Sequence, residues 1–112
     1  PHFMPKTSLK SSYELSEKLV KEADIIMSLR TQTERHQKAI YASLKDYAND
    51  FCIRLNLLAK NPKLIILHPG PVHRDIDLSD EVMASSQSLV LKQVKNGVAI
   101  RMAILKKLIL EK

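Results

Sequence analysis

The sequence has one cysteine, no tryptophan, two glycines and only 4% aromatic residues in 112 positions. Cys52 has no partner for an internal disulfide and no second thiolate for a zinc site; it fits a reducing compartment and reads as a buried small hydrophobe. The four histidines, His2, His36, His68 and His73, lack zinc-ligand spacing. There is no glycine-rich phosphate loop and no G-x-S-x-G nucleophile elbow. No metal and no cofactor are expected. The longest apolar runs, such as Leu64 to Leu67, fall far short of the roughly 18 residues that mark a membrane span. Pro1-His2-Phe3-Met4-Pro5-Lys6 has no apolar signal-peptide core, and a cytoplasmic location is expected. Position 1 is not methionine, so the chain reads as a piece of something longer.

Apolar residues at 45% and charged residues at 27% match an ordinary folded domain rather than a disordered one. The net charge is +6, from 18 basic and 12 acidic residues. From Val90 onward, Lys92, Lys95, Arg101, Lys106, Lys107 and Lys112 face only Glu111. They are spread around a helical pattern with no interleaved aromatics, which reads as a solvated rim and not a nucleic-acid surface. Neither nucleic acid nor membrane is expected as a partner. Small anionic ligands are compatible with the charge.

Ser11 and Glu14 have capping-box spacing, and Tyr13, Leu15, Leu19, Val20 and Ala23 follow as an amphipathic helix. Ile25-Ile26-Met27-Ser28-Leu29 reads as a strand buried on both faces of a parallel sheet. Thr33 can cap a helix carrying Ala39, Ile40, Leu44 and Tyr47 to about residue 48. Phe51 to Leu55 alternates loosely, as a short strand would. Asn56 can cap one or two turns that Pro62 ends. Leu64 to Leu67 is a second buried-strand signal, and His68-Pro69-Gly70-Pro71 is loop. Residues 72–85 read as polar and irregular, and Ser85 or Ser86 opens a long helix to about Glu111, with a weak point at Asn96-Gly97. This alternation predicts an α/β fold with a short parallel sheet, arranged as a partial three-layer sandwich, and a long C-terminal helix.

In an open parallel sheet, ligands gather beyond the carboxyl ends of the strands. Leu29 to Arg35 and His68 to Arg74 would share such an edge if the two strands are parallel neighbours. Arg30, Gln32, Arg35, Arg74 and a proline-rigid turn would then converge. Arginine binds carboxylates bidentately, a glutamine amide adds a neutral hydrogen bond, and fixed carbonyls accept from an ammonium or amide. The set suits a small molecule carrying carboxylate and amine groups. Against it stands the reading of Arg30 and Arg35 as solvated residues at a helix start, a place where cations are disfavoured. His68 reads as structural more than as a general base, and His73 is weaker still as a base. Asp75, Asp77, Asp80 and Glu81 read as a solvated loop and helix cap, because no glycine provides calcium-loop geometry.

Ala23 to Arg35 resembles the strand-loop-helix of aspartate carbamoyltransferases that carries L-R-x-Q-x-E-R. His68-Pro69-Gly70-Pro71-Val72-His73-Arg74 resembles their H-P-x-P-V-N-R-G loop. Gln93 to Ala103 resembles the Q-x-x-N-G-V-x-x-R-M-A stretch of their last helix. The sister ornithine carbamoyltransferases carry H-C-L-P at the second loop, so Pro69, with Arg30 and Gln32, favours aspartate. Two positions depart: His73 stands where asparagine is usual. Asp75 stands where glycine is usual, bringing a negative charge towards an anion site and costing the loop a flexible backbone point.

The resemblance implies the C-terminal portion of a two-domain enzyme. Residues 1–84 would be the C-terminal part of the aspartate-binding domain, and residues 85–112 the terminal helix that returns to the carbamoyl-phosphate domain. Arg30 and Gln32 would hold the aspartate side-chain carboxylate, with Glu34 orienting Arg30. Pro69 and Gly70 would meet L-aspartate, Gly70 and Pro71 would meet carbamoyl phosphate, and His68 and Arg74 would support the loop. The implied reaction carbamoylates L-aspartate in de novo pyrimidine biosynthesis. The implied partners are the N-terminal domain of the same enzyme and two further copies in a homotrimer. The family's S-T-R-T phosphate loop is absent from these 112 residues. The chain alone is therefore expected to hold no catalytic residue, to be inactive, and to have its terminal helix either disordered near its end or buried against another copy of the chain. The competing expectation is a non-catalytic binding or scaffold module derived from the same domain.

Overall fold

A computed structural model describes residues 10–31 and 44–111. Helix α1 (Glu17–Glu22) is followed by strand β1 (Ile25–Met27), helices α2 (Leu44–Phe51) and α3 (Leu55–Leu58), strand β2 (Ile65–Leu67), and helices α4 (Asp80–Ala84) and α5 (Val90–Leu110). The strands pair in parallel, with Ile25 opposite Ile65, Ile26 opposite Ile66 and Met27 opposite Leu67. The α/β class with a short parallel sheet and a long terminal helix is as the sequence predicts.

The core gathers Val20, Ile53, Leu58, Leu64, Ile66, Leu78, Val82 and Val90, each buried. Ile26 packs against it, whereas its strand neighbours Ile25 and Met27 are 54% and 52% exposed. The expectation that β1 is buried on both faces is therefore not met among the described residues; alternate side chains of a strand point to opposite faces, and one face of β1 is open. On its other edge β2 pairs with the segment leading into α5, through Ile66 N–H to Gln87 O at 2.9 Å and Leu89 N–H to Ile66 O at 3.0 Å. Two amides lock the connections beneath. Asn61 Nδ2 donates to Val20 O and Ala23 O at 2.9 and 2.8 Å. Gln87 Nε2 donates to Asn61 O and Leu64 O at 3.0 and 2.9 Å.

Several local expectations are corrected. The cap of α1 is Ser16, whose hydroxyl accepts Leu19 N–H at 3.3 Å, not Ser11; Ser12 instead closes a turn with Glu14. The helical periodicity simply begins later than the first capping-box match. Phe51 ends α2, and only Ile53 makes a strand-like pairing, with Leu78. Helix α3 starts at Leu55 behind Arg54, with no side-chain cap, not behind Asn56. Residues 80–84 form α4, where an irregular segment is expected; Ser79 caps it by accepting Val82 N–H at 3.3 Å, with Asp80 and Glu81 favourably placed in its first turn. Helix α5 starts at Val90 rather than Ser85 or Ser86 and runs unbroken through Asn96-Gly97. The proposed Thr33 cap and the apolar positions Ala39 and Ile40 lie outside the described residues.

Cys52 is buried, as expected, and burial pushes its thiol above the usual range against the lowering effect of Arg54. Among the described residues no helix is long and apolar enough to cross a membrane, and no group of three His, Cys, Asp or Glu side chains could hold a metal ion.

Candidate functional site at the carboxyl edge of the sheet

Parallel pairing in this register puts the residues after Met27 and those after Leu67 at the same edge of the sheet. Ser28 N–H donates to Leu67 O at 3.0 Å and closes the ladder. Beyond it run Leu29, Arg30 and Thr31 on one side and His68 to Arg74 on the other. The shared edge anticipated from the sequence is thus formed. Arg30 is exposed there. Gln32, Glu34 and Arg35 lie outside the described residues.

The two loops are joined by a side chain that the sequence reading misassigned. Asp77, expected to be solvated with Asp75, Asp80 and Glu81, is 2% exposed. Its Oδ1 accepts both the N–H of Thr31, at 3.1 Å, and the Thr31 hydroxyl, at 2.5 Å. Its Oδ2 accepts His73 N–H at 3.0 Å and lies 3.1 Å from His68 Nε2. Gly70 N–H donates to His68 Nδ1 at 2.9 Å, which makes Nδ1 an acceptor and leaves Nε2 to carry the proton donated to Asp77. Burial pushes the Asp77 carboxyl up. The hydroxyl of Thr31, the N–H groups of His73 and Thr31, and the His68 ring outweigh that and hold it below the usual carboxylate range.

His68 is fully buried. Its own N–H donates to Gln93 Oε1 at 2.9 Å, so the first turn of α5 also anchors the loop. Gly70 has φ +71°, a conformation that favours glycine, and a Cβ there would meet Val94 Cγ2 at 3.3 Å. Pro69 and Pro71 have no N–H, and the N–H of Gly70 is taken by His68. Segment 69–71 therefore has only carbonyl oxygens left to offer, which suits an amine or amide donor and not an oxyanion.

Arg74 points to Asp80, Nε to Oδ1 at 3.5 Å, with both side chains largely exposed. Asp75 adopts φ 58°, the left-handed conformation that glycine would supply at this position. Aspartate tolerates this region better than most residues because its short polar side chain bonds locally. Here Asp75 Oδ1 lies 3.4 Å from the N–H of Asp80. The linking roles of Thr31, Asp77 and Gln93 were not assigned from the sequence. Nothing local distinguishes Asp77 from the neighbouring acids; only the folded turn brings four donors to it.

Residues 4–108 match the family model described as aspartate/ornithine carbamoyltransferase, Asp/Orn binding domain. The chain is 71% identical over 111 residues to the aspartate carbamoyltransferase catalytic subunit of Campylobacter jejuni strain RM1221, covering 99% of this chain and 37% of that protein. It is 55% identical over 105 residues to the protein of the same name from Helicobacter hepaticus, covering 94% of this chain and 35% of that one. The chain thus spans little more than a third of the length of these relatives. Among solved structures, it resembles aspartate transcarbamoylase from Trypanosoma cruzi in complex with phosphate, with a TM-score of 0.70 and 29% identity, over 84% of this chain and 29% of that one. It also resembles ornithine carbamoyltransferase from Pyrococcus furiosus, with a TM-score of 0.65 and 26% identity, over 80% of this chain and 29% of that one. The chain with the Asp77-linked loops therefore belongs to the aspartate/ornithine carbamoyltransferase family, matching its Asp/Orn-binding domain over residues 4–108.

Proposed function

We propose that this chain forms part of the aspartate site of an aspartate carbamoyltransferase. That enzyme transfers the carbamoyl group of carbamoyl phosphate to L-aspartate, giving N-carbamoyl-L-aspartate and phosphate for pyrimidine biosynthesis in the cytoplasm. The observation that carries the reading is the convergence, on one sheet edge, of Arg30 with a turn that offers carbonyl oxygens only. Arg30 supplies a bidentate cation for the aspartate side-chain carboxylate. Gln32 adds a neutral hydrogen bond and Glu34 orients Arg30. The Pro69, Gly70 and Pro71 carbonyls take the amine of aspartate and the NH2 of carbamoyl phosphate. His68 and Arg74 hold the turn.

The aspartate nitrogen attacks the carbamoyl carbon, the C–N bond forms, the C–O bond to phosphate breaks, and phosphate leaves with the proton that the nitrogen gives up. The chain contributes positioning and electrostatic complementarity, not a covalent intermediate. The N-terminal domain of the same enzyme, in a homotrimer, supplies the remaining groups.

Steady-state kinetics of the full-length catalytic chain carrying these residues test the assignment. Arg30→Ala raises the KM for aspartate about tenfold or more, because hydrogen bonds to charged groups are worth roughly 1.5–3 kcal/mol and each 1.4 kcal/mol is a factor of ten. Gln32→Ala has a smaller effect, since a neutral hydrogen bond contributes about 0.5–1.5 kcal/mol. Unchanged aspartate kinetics in Arg30→Ala would remove the carboxylate assignment. A wild-type chain with no transfer to aspartate would favour the non-catalytic module instead.

A further inference from the structure

We propose that Asp77 is a positioning residue for the aspartate site, a single ionised side chain that fixes Thr31, and with it Arg30, against the His68–Gly70 turn. The inference rests on the reading of this edge as an aspartate site. Four donors converge on one carboxylate, two at each oxygen. Two come from Thr31, next in sequence to Arg30, and two from the opposite loop. A carboxylate accepts at every lone pair and donates nowhere, so it alone satisfies such a set. At 2% exposure, water cannot complete a weaker arrangement.

The direction of each bond is set. Gly70 N–H occupies His68 Nδ1, so the ring cannot turn an acceptor towards Asp77. Two backbone N–H groups can only donate. The Thr31 hydroxyl supplies the fourth proton. Asn at position 77 would aim an amide NH2 at groups that are themselves donors and would expel at least one of them. Past Ser28 the β1–β2 ladder ends, and the chain is next fixed at Thr31. Releasing Thr31 therefore frees the backbone that carries Arg30. Asp77 lies one side chain away from the ligand and acts through Thr31.

Kinetics of the full-length catalytic chain test this, with Asp77→Asn, Thr31→Val, Thr31→Ser and the core variant Val82→Ala. Asp77→Asn raises the KM for aspartate about tenfold, with a smaller change for carbamoyl phosphate. Thr31→Val moves the aspartate KM in the same direction, and Thr31→Ser, which keeps the hydroxyl, stays near wild type. Val82→Ala lowers the unfolding temperature and leaves both KM values in place. Absence of aspartate-dependent transfer in the wild type defeats the functional reading itself. If the wild type is active, a folded Asp77→Asn with unchanged aspartate KM overturns the positioning role. So does a Val82→Ala that raises that KM equally. If Asp77→Asn does not fold, the threonine pair decides: equal aspartate KM values for Thr31→Val and Thr31→Ser overturn it.

Discussion

The backbone N–H of His68 donates to the side-chain oxygen of Gln93 at 2.9 Å, across 25 residues of sequence. This bond continues where the β2 ladder stops and ties the terminal helix to the turn. Removing the acceptor leaves a part-buried N–H without a partner, at a cost of about 1–3 kcal/mol. Gln93→Ala therefore lowers the urea midpoint of the chain, while Gln93→Glu, which keeps an acceptor oxygen, loses less. Equal midpoints for Gln93→Ala and wild type would show the bond to be energetically idle.

The loop after Arg74 ranks substitutions by backbone conformation. Asp75 sits at φ 58°. A β-branched residue there pays the left-handed penalty of about 1–2 kcal/mol in full, and glycine pays none. Asp75→Gly should match or exceed the wild type in stability, and Asp75→Val should fall below both. Chemical denaturation of the three proteins gives the order; a Val variant as stable as the Gly variant contradicts it.

Stability should fall in acid because of Asp77. Its folded carboxyl titrates below the ordinary value, since its hydrogen-bond donors outweigh burial. The unfolded chain, with a carboxyl near ~3.9, therefore takes up the proton first as pH falls. The contribution is complete above that value and is lost as pH drops towards the folded one. Unfolding free energies measured from about pH 6 downward through the unfolded value of ~3.9 should drop less steeply for Asp77→Asn than for wild type. Parallel curves would assign the acid sensitivity elsewhere.

The terminal helix should drive association of the 112-residue chain. Of the 21 residues of α5, only Val90 is buried, and Val98, Met102, Leu105 and Ile109 are each more than half exposed. Ile100, Ile104 and Leu108 are exposed as well, so apolar side chains lie on more than one side of the helix. Contiguous apolar surface of this kind associates. The weight-average sedimentation coefficient should rise with concentration, and Met102→Lys should weaken the rise. A concentration-independent monomer excludes it.

Much of the fold was legible because it follows from local pattern. Two continuous apolar runs predicted the paired strands, and the long apolar periodicity predicted α5. Turn chemistry placed the His68–Pro71 loop. Boundaries were less legible, since Ser11, Ser12 and Ser16 are chemically alike and only folding selects Ser16 as the cap. Helix α4 was missed because five residues carry too little periodicity to stand out.

The sequence by itself determined the class of fold, the two loops and their resemblance to a family, because motif chemistry and strand hydrophobicity are properties of neighbouring residues. What only the tertiary structure decided is which polar residues work inside. Asp75, Asp77 and Asp80 are nearly equivalent as letters. The turn from His73 to Leu78, closed by Asp75 N–H to Leu78 O at 2.8 Å and Asp77 N–H to His73 O at 2.9 Å, sends one of them inward. Donors from both loops then surround it, separated from it by up to 46 residues of chain. Hydrogen bonds of that range depend on the pairing of β1 with β2, and no local pattern in the sequence encodes them.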